Sequence, residues 1–295
     1  MSASAVPSSA SSRLVLASDL SARCDRAQDR AAQLTSQWSW SLTVVHAIDS
    51  SRVDLHAFSS PKTPTWRRPE SWVDTLTARL RADLRHDGLE PELVVQQTDN
   101  PAKLVLETAS HPDVGLVVSG VARDEPLLTL RLGHLVDALM RESRVPVLTV
   151  RRRVRGPYQR IVVASDFSEA SGAALDTTLR LFPSGRITVF HAHSSPGGRL
   201  VTTDETAWQE AAHQQYARFV QSLPLRPEDA ARLDFVTEQG YPESLLADYT
   251  RHHDIDLVAL GTHGRSGWVR ALLGSTAANL MQALACDTLL VRGGD

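Results

Sequence analysis

Leu257-Val258-Ala259-Leu260-Gly261-Thr262-His263-Gly264 runs from an apolar stretch into a glycine pair, and nine residues later Gly274-Ser275-Thr276 opens the helical pattern Ala277 to Leu284. The order is a buried strand, a glycine-rich loop and a helix start, which is what a phosphate-binding turn needs. Glycine has no Cβ and reaches positive φ, so backbone N–H groups can converge on an anion that a side chain would hold away. The first N–H groups of a helix lack intrahelical partners and sit at the positive end of its dipole. The hydroxyls of Ser275 and Thr276 add donors of their own.

Working outward, the chain is written twice. Arg13-Leu14-Val15-Leu16-Ala17-Ser18-Asp19-Leu20-Ser21 returns 147 residues later as Arg160-Ile161-Val162-Val163-Ala164-Ser165-Asp166-Phe167-Ser168. Thr43-Val44-Val45-His46-Ala47 returns as Thr188-Val189-Phe190-His191-Ala192. The stretch Val114 to Gly120 returns as Ile255 to Gly261, and Pro146 to Arg151 as Asp287 to Arg292, both at an offset of 141. Matches in constant order at slowly drifting offsets describe a duplicated domain with small loop changes, not a short solenoid repeat. The expected layout is a tail over 1–12, a first domain over 13–152 and a second over 160–295. The boundary falls in Arg152 to Gln159, where Gly156-Pro157 interrupts regular structure.

In the second copy, apolar runs near 160–165, 187–192, 233–237, 256–260 and 288–292 predict strands. Ala207 to Leu223 and Pro242 to Arg251 predict helices, with Pro242-Glu243 suited to a first turn. Nearly continuous Val, Ile and Leu runs point to parallel strands buried on both faces. Their alternation with helices implies right-handed crossovers. The expected fold is α/β: two tandem doubly wound five-stranded parallel sheets of Rossmann-like type. Ligands of such sheets bind beyond the carboxyl ends of the strands, where the strand order reverses. Asp166, after the first strand, and Gly261, after the fourth, both belong to that edge.

The bulk numbers bound the function. A chain of 295 residues suits one large or two ordinary domains. A formal charge of -3 supplies no electrostatic footprint for nucleic acid. The basic run Arg151-Arg152-Arg153-Val154-Arg155 reads as a solvated linker. No apolar stretch approaches the ~20 residues of a membrane span. Met1 to Ser12 lacks the basic and apolar regions of a signal peptide and reads as a disordered tail. Cys24 and Cys286 lie far apart without metal-ligand spacing and read as reduced thiols of a cytoplasmic protein.

Three features together resemble the universal stress protein family in its tandem form: Val-Ala-Ser-Asp-Phe-Ser-Glu at 163–169, Val-Phe-His-Ala at 189–192, and the Gly-x2-Gly-x9-Gly-Ser spacing at 261–275. The resemblance covers nearly the whole chain past the tail. It implies a fold related to adenine nucleotide α-hydrolases and, for the branch with this glycine signature, binding of ATP. By position, Asp166 would hold the ribose hydroxyls and the Ala192 backbone would face the adenine edge. Gly261, Gly264, Gly274, Ser275 and Thr276 would hold the phosphates, and Ala164, Ser165, Leu260 and Arg265 complete the implied contact set. The implied ligand is ATP, ADP or AMP, with magnesium left open. Asp166 also has a folding role open to it, since Asp before Ser-Glu-Ala is a good helix N-cap. Asp19, the same residue in the other copy, leaves that second role open.

The copies are not equivalent. The first has Gly120-Val121-Ala122-Arg123, then nine residues, then Gly133-His134. Arg123 replaces the middle glycine, His134 replaces the serine, and Asp124-Glu125 adds charge unfavourable to a triphosphate. The first copy is therefore expected not to bind ATP in the family manner. Arg123 either fills the vacated phosphate site beside Asp19 or points to solvent.

His191 and His193 alternate along a strand and share a face, and with His213 or His263 could form a zinc site. No cysteine or acidic cluster accompanies them, and a histidine after the second strand is common in the resembled family without metal. The expectation is no metal. Trp38, Trp40 and Trp268 read as packing or interface residues. The resembled family pairs through its fifth strands, which here are Val147 to Val150 and Leu289 to Val291. Pairing them hides two apolar sheet edges, so an intramolecular pseudo-dimer is expected, with further homodimerisation open. No lysine follows the glycines as in a P-loop, and no nucleophile has an adjacent base. The expectation is a nucleotide-binding regulator with at most slow ATP hydrolysis. An interaction scaffold without nucleotide and a slow ATPase are the alternatives.

Overall fold

The computed structural model describes residues 12–22, 24–49, 66, 72–86, 90–120, 133–193, 205–262 and 275–293. The first half carries β1 (Arg13–Ala17), α1 (Asp25–Trp38), β2 (Ser41–Asp49), α2 (Trp72–His86), β3 (Glu92–Thr98), α3 (Pro101–Ala109), β4 (Val114–Gly120), α4 (His134–Glu142) and β5 (Val147–Val150). The second carries β6 (Arg160–Ala164), α5 (Glu169–Leu181), β7 (Arg186–His193), α6 (Glu205–Ser222), α7 (Pro227–Ala230), β8 (Leu233–Gln239), α8 (Pro242–His252), β9 (Leu257–Gly261), α9 (Ser275–Ala283) and β10 (Asp287–Val291). Pro242 opens α8 at its first turn, where the missing N–H costs nothing.

Among the described residues the strands form one ten-stranded sheet, ordered β3-β2-β1-β4-β5-β10-β9-β6-β7-β8. Pairing is parallel within each half. At the centre β5 and β10 pair antiparallel, with Leu148 opposite Leu289. The Thr149 and Thr288 hydroxyls meet across this seam in a buried hydrogen bond. The order reverses between β1 and β4 and again between β6 and β9, so each half has its own crevice. Because the centre is antiparallel, the two crevices open at opposite edges of the sheet.

Both faces of the inner strands are covered, which is why those strands are apolar on successive residues. One face packs Leu16, Val163, Ala259 and Leu289 under α1 and α5. The other packs Val117, Val162, Val258 and Leu290 under α3, α4, α8 and α9. Trp38 lies 4.9 Å from Trp40 and 5.8 Å from Phe182 of the second half, so this tryptophan is an interface residue. Trp268 lies outside the described residues.

The basic run after β5 corrects the expectation of a solvated linker in part: Arg153 and Arg155 are exposed, but its first residues are not. Arg151 is only 8% exposed. Its backbone N–H and that of Arg152 donate to Asp287 Oδ1 at 2.7 and 2.9 Å. Tyr158 OH donates to Asp287 Oδ2 at 2.6 Å, and Arg30 of α1 lies 3.8 Å from the same oxygen. The Arg30 guanidinium also covers the Tyr158 ring at 4.0 Å. Burial, then the Asp287 charge, pushes the Tyr158 phenol well above its usual range. The linker is thus part of a buried polar junction between the halves.

A second buried carboxylate ties α7 to α5. Asp229 accepts from Arg226 Nε at 2.8 Å and from Arg232 Nη2 at 2.8 Å. Arg232 Nη1 in turn donates to the carbonyls of Phe182 and Gly185 at 2.9 and 2.8 Å. Burial of Asp229 opposes its ionisation, but the two arginines outweigh it and hold the carboxyl below its ordinary value. A lowered folded pKa stabilises at pH above the unfolded value of about 3.9 and is lost as pH falls through the folded one. Asp229→Asn is expected to lower stability by about 1–3 kcal/mol at neutral pH. Urea unfolding should show this gap to the parent closing as pH drops below about 4. A gap that persists in acid would refute the ionic origin.

Candidate functional site

The candidate edge begins where β6 ends. The Ser165 N–H continues the ladder by donating to the Phe190 carbonyl at 2.9 Å. The chain then turns sharply, with Phe167 at φ 60. A non-glycine residue in the left-handed region is uncommon, and four hydrogen bonds hold the turn. Asp166 Oδ1 accepts from the Ser168 N–H at 3.0 Å, an Asx turn. Ser165 Oγ accepts from the Phe167 N–H at 3.0 Å and donates to Ser171 Oγ at 3.0 Å. His191 Nδ1 donates to the Ser165 carbonyl at 2.8 Å, while its ring stacks on Phe167 at 4.5 Å. The helix cap is Ser168, whose Oγ accepts from the Ser171 N–H at 3.3 Å. Asp166 therefore ties the turn, and capping of α5 falls to the residue two places on.

The same turn is built in the first half. Asp19 Oδ1 accepts from the Ser21 N–H at 2.9 Å, and Leu20 sits at φ 57. Ser18 Oγ accepts from the Leu20 N–H at 3.2 Å, and His46 Nδ1 donates to the Ser18 carbonyl at 2.9 Å. Cys24 stands where Ser171 stands in the other half, with its sulfur 3.4 Å from the Asp19 N–H. Burial pushes the Cys24 thiol up to about 12, and likewise that of Cys286. Both are poor nucleophiles at neutral pH.

Across the crevice, β9 ends in Leu260 and Gly261. Leu260 is buried at 2% exposure on the α8–α9 face, and Ala164 and Ala192 line that same face. The glycine has a packing reason that the sequence did not announce. A Cβ on Gly261 would lie 2.6 Å from both the carbonyl carbon and oxygen of Ala170 in α5. Gly293, after β10, flanks Ala170 from the other side, its Cβ position 3.2 Å from Ala170 Cα. Past Gly261, the Thr262 N–H donates to the Val291 carbonyl at 3.0 Å.

Gly264, Arg265 and Gly274 lie outside the described residues, as does Arg123 of the first half. Ser275 and Thr276 are the first two residues of α9, whose N-terminus follows the loop. Gly120 closes β4, and Gly133 is the N-cap of α4 without a capping side chain. Ser165, Asp166, Ala192 and Gly261 are thus brought to one edge, over the reversal between β6 and β9.

The histidines are engaged elsewhere. His193 stacks on Trp208 at 5.5 Å, and His213 meets Phe235 edge-on at 5.0 Å. Among the described residues no three His, Cys, Asp or Glu side chains converge as metal ligands, and His263 lies outside them. No helix among the described residues is long and apolar enough to cross a membrane. The sequence missed the positioning work of His191, Ser171 and Phe167. Its visible trace was the return of Ser-Asp and His at matching places in both copies.

Fold and edge together define a tandem, Rossmann-like α/β protein, and the comparisons name its class. The profile of the universal stress protein family matches residues 11–151 and again 157–292. The chain belongs to that family. It is 25% identical over 221 residues to the universal stress protein E homolog of Haemophilus influenzae, covering 68% of this chain and 71% of the relative. A local match to universal stress protein E of Escherichia coli is 40% identical over 55 residues, 19% of this chain and 17% of that protein. The crystal structure of a universal stress protein from Archaeoglobus fulgidus superposes with a TM-score of 0.67 at 16% identity, covering 96% of this chain and 99% of that one. At that identity the likeness speaks for the fold alone.

Proposed function

We propose that the second half binds one adenine nucleotide (ATP, or its ADP or AMP forms) and that occupancy changes how this cytoplasmic protein meets its partners under stress. Asp166 accepts from the ribose hydroxyls, and the Ala192 backbone reads the adenine edge. Gly261, Gly264, Gly274, Ser275 and Thr276 cradle the phosphates at the start of α9, with Ala164, Ser165, Leu260 and Arg265 lining the site and magnesium as an accompanying ion. The first half takes no nucleotide in this manner, because Arg123 and His134 replace a glycine and a hydroxyl. The observation that supports this reading is convergence. The Asp166 turn, Ala192 and Gly261 follow or close the neighbouring strands β6, β7 and β9 at the reversal of strand order, where doubly wound sheets bind ligands, and α9 is the next helix after β9.

One observation favours a second reading, a scaffold without nucleotide. The Asp turn recurs in the half with the altered loop, and Gly261 answers to Ala170, so both residues have folding reasons of their own. Small molecules released from the purified protein by denaturation separate the two readings. About one adenine nucleotide per chain is expected, and Gly264→Val should abolish it without unfolding the domain, its midpoint matching that of the nucleotide-free parent. Two per chain would overturn the inert first half. None, with no uptake of added ATP and magnesium, would establish the scaffold.

A further inference from the structure

The arginines that leave β5 reach the far end of α9. Arg151 Nη2 donates to the Met281 carbonyl at 2.6 Å. Arg152 Nε donates to the Ala285 carbonyl at 3.2 Å, and its Nη1 to the Ile255 carbonyl at 3.1 Å. The last carbonyls of a helix lack intrahelical partners and carry the negative end of its dipole, so a guanidinium there is held by both effects. Asp287 fixes the pair by accepting both backbone N–H groups. Helix α9 is nine residues long, so about 13 Å separates its two ends. One end is gripped by residues that come from the first half and its linker. The other follows the glycine loop in the chain.

The grip is one-sided. The residue equivalent to Asp287 in the first copy is Pro146, which has no carboxylate. The anchor therefore exists beneath the helix whose loop keeps all its glycines, and its organising carboxylate is missing beneath α4, whose loop does not.

We propose that Arg151 and Arg152 are positioning residues for the nucleotide edge. They set the place of α9 from its C-terminal end, and so couple nucleotide occupancy to the junction between the halves. This inference rests on the nucleotide reading above. Linkage is reciprocal, so what the junction does to affinity, nucleotide does to the junction.

Arg151→Met keeps the buried stem and removes the donor. Binding of ATP with magnesium to the full chain is measured by calorimetry well below the unfolding midpoint, alongside amide exchange over 151–158 and 275–284. Affinity is expected to fall about tenfold, and α9 to exchange faster in the nucleotide-free variant. Saturating ATP should slow exchange over 151–158 in the parent but not in the variant, and Arg151→Lys should recover part of the affinity. Parental affinity in a folded Arg151→Met protein overturns the proposal. Should that variant fail to fold, Arg152→Met, at a partly exposed position, carries the same expectations. Should the parent bind no nucleotide, the binding reading falls and exchange alone decides: faster α9 exchange in the variant upholds the positioning role, and unchanged exchange overturns it.

Discussion

Asp287→Ala lowers the unfolding free energy by about 3–5 kcal/mol, the usual cost of removing one partner from a buried ionic cluster. Asp287 is fully buried and Arg30 is 4% exposed. With the carboxylate gone, the Arg30 charge stays in the interior and the Tyr158 hydroxyl loses its acceptor, as do the N–H groups of Arg151 and Arg152. These groups belong to α1, the linker and β10, so the loss is felt at the seam and not inside one half. Guanidinium unfolding followed by tryptophan emission checks this, because Trp38 sits against Phe182 across the same seam. The halves should then unfold at separate midpoints. A single transition at the parental midpoint would show that the cluster does not hold the halves together.

Gly261→Ala comes next in size. The added Cβ would stand 2.6 Å from the carbonyl carbon and oxygen of Ala170, a distance that only a shift of the first turn of α5 relieves. Overpacking of this kind costs about 1–3 kcal/mol, and more when backbone must move. Trimming the neighbour does not help. The closest contacts are to backbone atoms, so Ala170→Gly should fail to rescue Gly261→Ala. Thermal unfolding together with nucleotide content distinguishes two roles for this glycine. A midpoint below that of the nucleotide-free parent marks the packing role. A midpoint equal to that of the nucleotide-free parent, with nucleotide lost, would mean that Gly261 serves the phosphate alone.

The inner strands were legible because each is buried on both faces, unlike the edge strands β3 and β8. Val162, Val163, Val258 and Ala259 are apolar in succession, and such runs leave little ambiguity about a doubly covered sheet. The pairing of β5 with β10 was legible through the family resemblance, and it hides two apolar edges that each copy would otherwise expose. The candidate site was legible as a set of positions and less so as a set of roles. Asp166 could be read as a ribose ligand or a helix cap, but the structure gives the cap to Ser168 and a turn to Asp166. The basic run Arg151 to Arg155 misled in part: Arg153 and Arg155 are exposed, but Arg151 is buried. A charged run reads as solvated until a carboxylate 136 residues away is found to hold its first backbone N–H in the interior.

By itself the sequence determined the duplication, the α/β alternation, the edge at which Asp166 and Gly261 meet, and the loss of the glycine pattern in one copy. These follow from local periodicity and from residue types whose conformational demands travel with them. Only the tertiary structure decided that Gly261 is bare to admit the backbone of Ala170, that His191 locks the turn behind Asp166, and that Asp287 gathers Arg30, Tyr158 and two linker amides into one junction. Each of these depends on atoms brought within a few ångströms from distant parts of the chain, and close approach is a property of packing that no local pattern encodes.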